Sequence, residues 1–187
     1  LENPSPEAIA ALCDRIAALK LLPRTGWLQR GVAGAESVAE HTFGVALLAL
    51  LLLDTAPGVD RARLLSMALA HDLAEALLGD WPAAARRHLG PRQKERAERG
   101  ALEELLAGHP GREELLGLWE EYAAGATSEA RLVKGLDRLE MLAQALAYER
   151  AGSRGLDEFW QGVEHGWDEA FPVLRQIALH LHQLRPR

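Results

Sequence analysis

Two ionisable residues stand side by side at His71-Asp72, inside the apolar stretch LALAHDLAEALLGD. An imidazole beside a carboxylate suits a divalent ion: the pair matches Mn, Fe, Co, Ni or Zn, and carboxylate-rich sites also admit Mg. On a helix the two side chains point about 100° apart, so both reach one ion only where the helix edge faces a cavity. Glu75 lies four residues after His71, on the same face, and Asp80 stands just past the helix end. Two further ionisable groups occupy positions where core residues are expected. His41 lies within SVAEHTFGVALLALLLL, and Asp137 within ARLVKGLDRLEMLAQAL. A buried charge is costly unless it is paired or bound to a metal. One ion would satisfy His41, His71, Asp72 and Asp137 together, but spacing alone leaves other readings open. These are a hydrogen-bonded core histidine, a local His-Asp pair, and a surface bridge from Asp137 to Arg138 or Lys134.

The elements that must position these groups read as helices throughout. Ser5-Pro6-Glu7 is a strong helix start, and that helix runs to about Leu22, where Pro23 stops it. Residues 23 to 35, PRTGWLQRGVAGA, read as a loop carrying Arg24 and Arg30. Glu36 or Ser37 opens a second helix to about Asp54, and Asp60 caps a third that ends near Gly79. Gly79-Asp80-Trp81-Pro82 is a turn and a new start. Pro91 begins a helix that ends near Gly108, residues 112 to 124 form another, and Thr127 or Ser128 caps a long one to about Arg150. After a loop at Gly152 to Gly155 the remainder is one helix or two, broken near Gly166 or Pro172. No stretch alternates as a strand would. The expected fold is an all-α, single compact helical domain over residues 1–187, with a core of roughly 15–150 and a C-terminal helical extension over 155–187.

Composition narrows the function classes. The 187 residues suffice for one well-cored domain, and the 48% apolar and 26% charged content is that of a globular protein. A formal net charge of −6 argues against a nucleic-acid polymer as partner, since phosphate contacts demand a basic surface. A small phosphate ester held by local arginines or a metal remains compatible. The single cysteine, Cys13, and the absence of a leader-like pattern in LENPSPE fit a reducing, cytoplasmic setting. The longest apolar run, Val45 to Leu53, falls short of the roughly 18 residues that span a bilayer, so it reads as a buried helix. Trp119, Trp160 and Trp167 read as core or interface aromatics, and His88, His109, His165, His180 and His182 as surface residues.

The ordered set LKLLPRTGWLQRGV, ESVAEHT, AHDLAEALLGDWP, the Lys94 to Glu98 segment and LWEEYAAGATSEARLVKGLDRLEMLAQALAYE resembles the HD-domain metal-dependent phosphohydrolases, in particular their 5′-deoxynucleotidase branch. The resemblance implies an HD-domain helical bundle with His41, His71, Asp72 and Asp137 as metal ligands. It implies that Arg24 orients the substrate phosphate and that Trp27 lies beside the sugar, favouring 2′-deoxy substrates. It places Glu75 and Asp80 near the reacting phosphate, where one orients or deprotonates water and the other protonates the leaving oxygen. A second cation at Glu75 and Asp80, with the backbone of Trp81, is found in some members, and Trp81 here shapes the pocket rim. The implied reaction is removal of the 5′-phosphate from (deoxy)ribonucleoside 5′-monophosphates by a divalent cation enzyme (Co, Mn, Mg, Zn, Fe or Ni), and a homodimer is expected. Two other readings stay open on sequence: an HD-type hydrolase of a nucleoside triphosphate or alarmone, and a non-catalytic helical interaction protein stabilised by its metal.

Overall fold

Helices begin where the sequence supplies acceptors for their first amides. The computed structural model describes residues 5–186; residues 1–4, on which the reading of the chain's start partly rests, and residue 187 lie outside it. Ser5 caps α1 (Pro6–Leu21), its hydroxyl accepting from the Ala8 amide. The next stretch departs from the expected loop, because it contains a one-turn helix, α2 (Thr25–Leu28). Ser37 and Glu40 form a reciprocal capping box on α3 (Val38–Leu52), which ends in a 3-10 turn. Asp60 caps α4 (Arg61–Ala70). After α5 (Glu75–Leu78), α6 (Ala83–Leu89) and α7 (Pro91–Leu105) comes α8 (Arg112–Ala124), closed by Gly125 in the left-handed conformation. Thr127 caps the long α9 (Ser128–Arg150), and α10 (Asp157–Trp160) and α11 (Pro172–Gln183) complete the chain.

No strand forms among the described residues, and the single bridge, Pro23 with Ser37, does positional work. The Arg24 amide donates to the Glu36 carbonyl at 2.8 Å, and the Val38 amide to the Leu22 carbonyl at 2.9 Å. The chain leading into α2 is thereby pinned to the start of α3.

The third expected helix does not run through to Gly79. It stops at Ala70, and the Leu73, Glu75, Ala76 and Leu77 amides, across the turn and into α5, each bond three residues back. The His71 side chain explains the break. Its Nδ1 lies 2.7 Å from the Ala68 carbonyl oxygen, an acceptor the helical ladder would otherwise use.

Helices α3, α4 and α9 pack together, with α8 and α11 against the same group. Their core joins Val45, Leu64, Met67, Leu136, Leu139 and Leu142 to Leu156, Trp160, Phe171 and Leu174, so the C-terminal segment shares one core with the rest. Burying a leucine contributes about 2 kcal/mol. Five buried leucines in α9 therefore make it the best-anchored element, and Asp137 rides on it. Trp119 belongs to a smaller cluster with Leu102, Leu106 and Leu116, and Trp167 is half-buried. Four of the five histidines expected at the surface are exposed, and His109 is half-buried.

Helix α3 is not the buried helix its composition suggested. Phe43, Leu47, Leu50 and Leu51 form an exposed stripe, with Phe43 67% and Leu51 66% accessible. The segment Val38–Thr55 has a mean hydropathy of 1.5, long and apolar enough by composition to cross a membrane. It also carries His41 into the domain and packs on α4 and α9.

Candidate functional site

Three elements bring four side chains together. His41, fully buried on α3, points its Nε2 to 3.1 Å from Asp137 Oδ1 and 3.8 Å from Asp72 Oδ2. His71, at the end of α4, places its Nε2 3.2 Å from Asp72 Oδ2. Donor atoms of His41, His71 and Asp137 all lie within 4.8 Å of one another. Both members of the His-Asp pair lie in the turn that follows α4, where Asp72 Oδ2 faces the Nε2 atoms of both histidines.

The imidazoles are prepared as ligands. The Ala68 carbonyl can only accept, so His71 donates from Nδ1, and His41 Nδ1 donates to Glu140 Oε2 at 2.5 Å. Each Nε2 is buried with no hydrogen-bond partner. Two orphaned imidazole nitrogens facing two carboxylates fit a borderline divalent ion, with outer hydrogen bonds fixing both rings. The electrostatics agree. Burial opposes the charging of His41, but the carboxylates of Asp137 and Glu140 outweigh it and push the imidazole up to about 10. Burial likewise opposes ionisation of Asp72, yet His71, His41 and Arg24 hold its carboxyl far below the usual range. Burial disfavours the charged Asp137 as well, and His41 overrides it. Positive charge is required between the carboxylates: protonated imidazoles supply it in one state and a divalent ion in the other, with proton release on binding.

Arg24 borders this cluster, its guanidinium 3.7 Å from Asp72 Oδ2. Burial works against its charge, but Asp72, Asp137, Asp80 and Glu75 together keep it protonated. Asp80 fixes the turn that carries it: the Thr25 amide donates to Asp80 Oδ2 at 2.5 Å, and the Thr25 hydroxyl donates to the Asp80 carbonyl at 2.8 Å. Glu75 differs from Asp80. Burial first, then the charges of Asp72 and Asp80, push its carboxyl up to about 9, and its Oε2 is buried without a partner.

A cavity of about 460 Å³ opens beside Arg24 and Asp80, within the range of small-ligand pockets. Trp27, Trp81, Phe159, Met141 and Arg138 line it. Trp27 is only 1% exposed, so it forms part of a wall rather than a free platform. Its indole N–H donates to Glu36 Oε1 at 2.9 Å, and its ring packs on Phe159 at 4.2 Å between centroids. Trp81 donates its indole N–H to the Leu78 carbonyl, which holds it at the rim. Arg30 pairs with Glu158 at the exposed edge.

Four residues of this region escaped the sequence reading. Thr25 braces the Arg24 turn. Tyr122 donates to Asp137 Oδ2 at 3.4 Å and meets the His71 ring edge-on. Glu140 holds His41, and Gly44 lies against it. Glu140 carried a usable signal: it is one turn after Asp137 in the same apolar run, open to the same argument about buried charge.

The chain is similar to known proteins along most of its length. The HD domain family model matches residues 16–173. A 5′-deoxynucleotidase of Danio rerio is 39% identical over 150 residues, spanning 78% of this chain and 73% of that protein. A 5′-deoxynucleotidase of Schizosaccharomyces pombe is 34% identical over 175 residues, 86% of each chain. A conserved hypothetical protein from Pyrococcus furiosus superposes with a TM-score of 0.80 at 36% identity, covering 96% of this chain and 99% of its own.

Proposed function

The chain belongs to the HD-domain family, and from that membership we propose that it is a metal-dependent phosphohydrolase removing the 5′-phosphate from nucleoside 5′-monophosphates, with 2′-deoxy substrates preferred. The observation that carries the chemistry is the convergence of two orphaned imidazole nitrogens and two carboxylates beside a half-buried arginine that lines a cavity. His41, His71, Asp72 and Asp137 hold the ion. When bound, it supplies positive charge to the phosphoryl oxygens and acidifies a water.

The chain's own residues do the rest. Arg24 grips the phosphate through charge-assisted hydrogen bonds. Asp80 spends Oδ2 on the Thr25 amide, so its part is to position Arg24 and Trp27. Glu75 has a free, buried oxygen and a strong hold on its proton. It delivers that proton from Oε2 to the 5′-oxygen as the P–O bond breaks and water adds to phosphorus. Trp27, Phe159 and Trp81 wall the nucleoside side of the cavity and exclude water. A second cation at Glu75 and Asp80 would displace that proton, so it belongs to a state other than the proton-donating one.

Chelator-stripped protein resupplied with Co, Mn, Mg, Zn, Ni or Fe is expected to release inorganic phosphate from 5′-monophosphates only with metal, and faster from 2′-deoxy substrates. Release of pyrophosphate or triphosphate from nucleoside triphosphates instead would overturn the substrate reading. Tight metal binding with no turnover would overturn the enzymatic one.

The same reading makes the protein a cytoplasmic homodimer, independent of membrane and nucleic acid, with the exposed α3 stripe as the contact between copies. A helix apolar on every side is stable in water only when all its faces are covered. Phe43→Glu with Leu51→Glu is expected to shift the sedimentation coefficient from dimer to monomer. An unchanged coefficient would place the contact elsewhere.

A further inference from the structure

A third carboxylate reaches His41 from α9. Glu140 is buried, and its Oε2 accepts a hydrogen bond from His41 Nδ1 at 2.5 Å. Asp137 and Glu140 are three residues apart on one face of α9, so the helix grips both nitrogens of the ring: Asp137 at Nε2 and Glu140 at Nδ1. The grip requires α9 to approach α3 closely, and position 44, one turn after His41, is where the room is made. A Cβ on Gly44 would fall 2.7 Å from Glu140 Oε1 and 2.9 Å from its Cγ, closer than real atoms come. Gly44 lies inside a regular helix, where glycine costs about 1 kcal/mol relative to alanine. The helix itself gives no reason for glycine there; the carboxylate opposite does.

We propose that Glu140 is the positioning residue for the metal ligand His41 and that Gly44 is the notch that lets Glu140 reach it. The inference rests on the reading of His41 as a ligand, but not on the substrate. Glu140 fixes the tautomer that leaves Nε2 free, holds the ring plane toward Asp137 and Asp72, and raises the ring's basicity as a ligand. Glu36 backs the arrangement: its carboxylate belongs to the same buried group as His41 and Glu140, and its Oε1 accepts from the Trp27 indole. The residue that bonds the cavity-wall indole thus lies within 4.8 Å of the pair that fixes the metal ligand.

The test is a set of Co²⁺ affinities measured by chelator competition, with the visible Co²⁺ absorption band as a report on ligand geometry. Metal-free melting temperatures of each variant separate folding from binding. Glu140→Ala is expected to weaken Co²⁺ binding by about 10- to 100-fold, and the isosteric Glu140→Gln, which keeps an acceptor but loses the charge, by about tenfold. Gly44→Ala, which touches no ligand, is expected to weaken it by about tenfold in the native background. In the Glu140→Ala background it should change affinity by less than about twofold, because the clash is gone. Wild-type affinity and an unchanged absorption band in a folded Glu140→Gln or Glu140→Ala protein would overturn the proposal. So would an equal Gly44→Ala penalty in both backgrounds, which would assign the glycine to helix spacing alone. Should the affinities follow the expected pattern while no nucleotide is turned over, this inference stands and the substrate reading falls.

Discussion

Asp72→Ala is expected to lower kcat/KM for deoxynucleoside 5′-monophosphates by about 10³-fold or more and to weaken metal binding in parallel. Asp72 joins the two histidines to the arginine. Its Oδ2 lies within 4 Å of both imidazole nitrogens and of the Arg24 guanidinium. Removal takes away a ligand, the counter-charge that keeps both histidines in place, and the carboxylate beside Arg24. The variant should also be less stable without metal, since deleting one member of a buried charge group leaves the others uncompensated at a cost of several kcal/mol. Phosphate release and chelator competition on one preparation check both effects. Turnover surviving in Asp72→Ala while metal binding is lost would show that the reaction does not depend on this site.

Glu75→Gln is expected to cost about 10²- to 10⁴-fold in kcat with little change in KM, the signature of a lost proton donor. A second readout separates this from damage to the fold. The folded carboxyl is held at about 9, above its unfolded value of about 4.5. Between these values the folded chain binds more protons than the unfolded chain, so this group removes stability as pH rises. Glutamine carries no such penalty. The metal-free variant should therefore melt higher than wild type near neutral pH, by about 5 °C, with the gap widening toward pH 9 and closing below pH 5. A variant that loses activity and gains stability in that pH-dependent way matches a carboxyl kept under strain for its chemistry. Lost activity with lower stability at every pH would assign Glu75 a structural part instead.

Much of this arrangement was legible in the chain. His41 and Asp137 stand out because ionisable groups interrupt apolar helical runs, and caps at Ser5, Ser37, Asp60 and Thr127 mark four helix starts from local chemistry alone. The rest depends on contacts distant in sequence or on competition between local bonds. Nothing in LALAHDLAEALLGD announces that a side-chain nitrogen will take the Ala68 carbonyl and halt the helix. The turn at Thr25 needs an acceptor 55 residues away in Asp80. Trp27 sits in a segment that reads as loop, yet it is among the most buried residues, because Glu36, Tyr148 and Phe159 close around it. The exposed stripe on α3 was hidden for the opposite reason: an apolar sequence does not say which of its faces the monomer leaves uncovered.

The proposed ligands come from α3, from the turn after α4 and from α9, and about half the chain separates His41 from Asp137. Such a ring closes only after α3, α4 and α9 have docked, so it belongs to the last part of folding rather than to its nucleus. An interaction absent from the transition state acts on the rate of escape from the native state and leaves the rate of reaching it nearly untouched. The bound ion would then act as a latch: scarcely felt as the protein assembles, and felt fully when heat or a protease requires it to open.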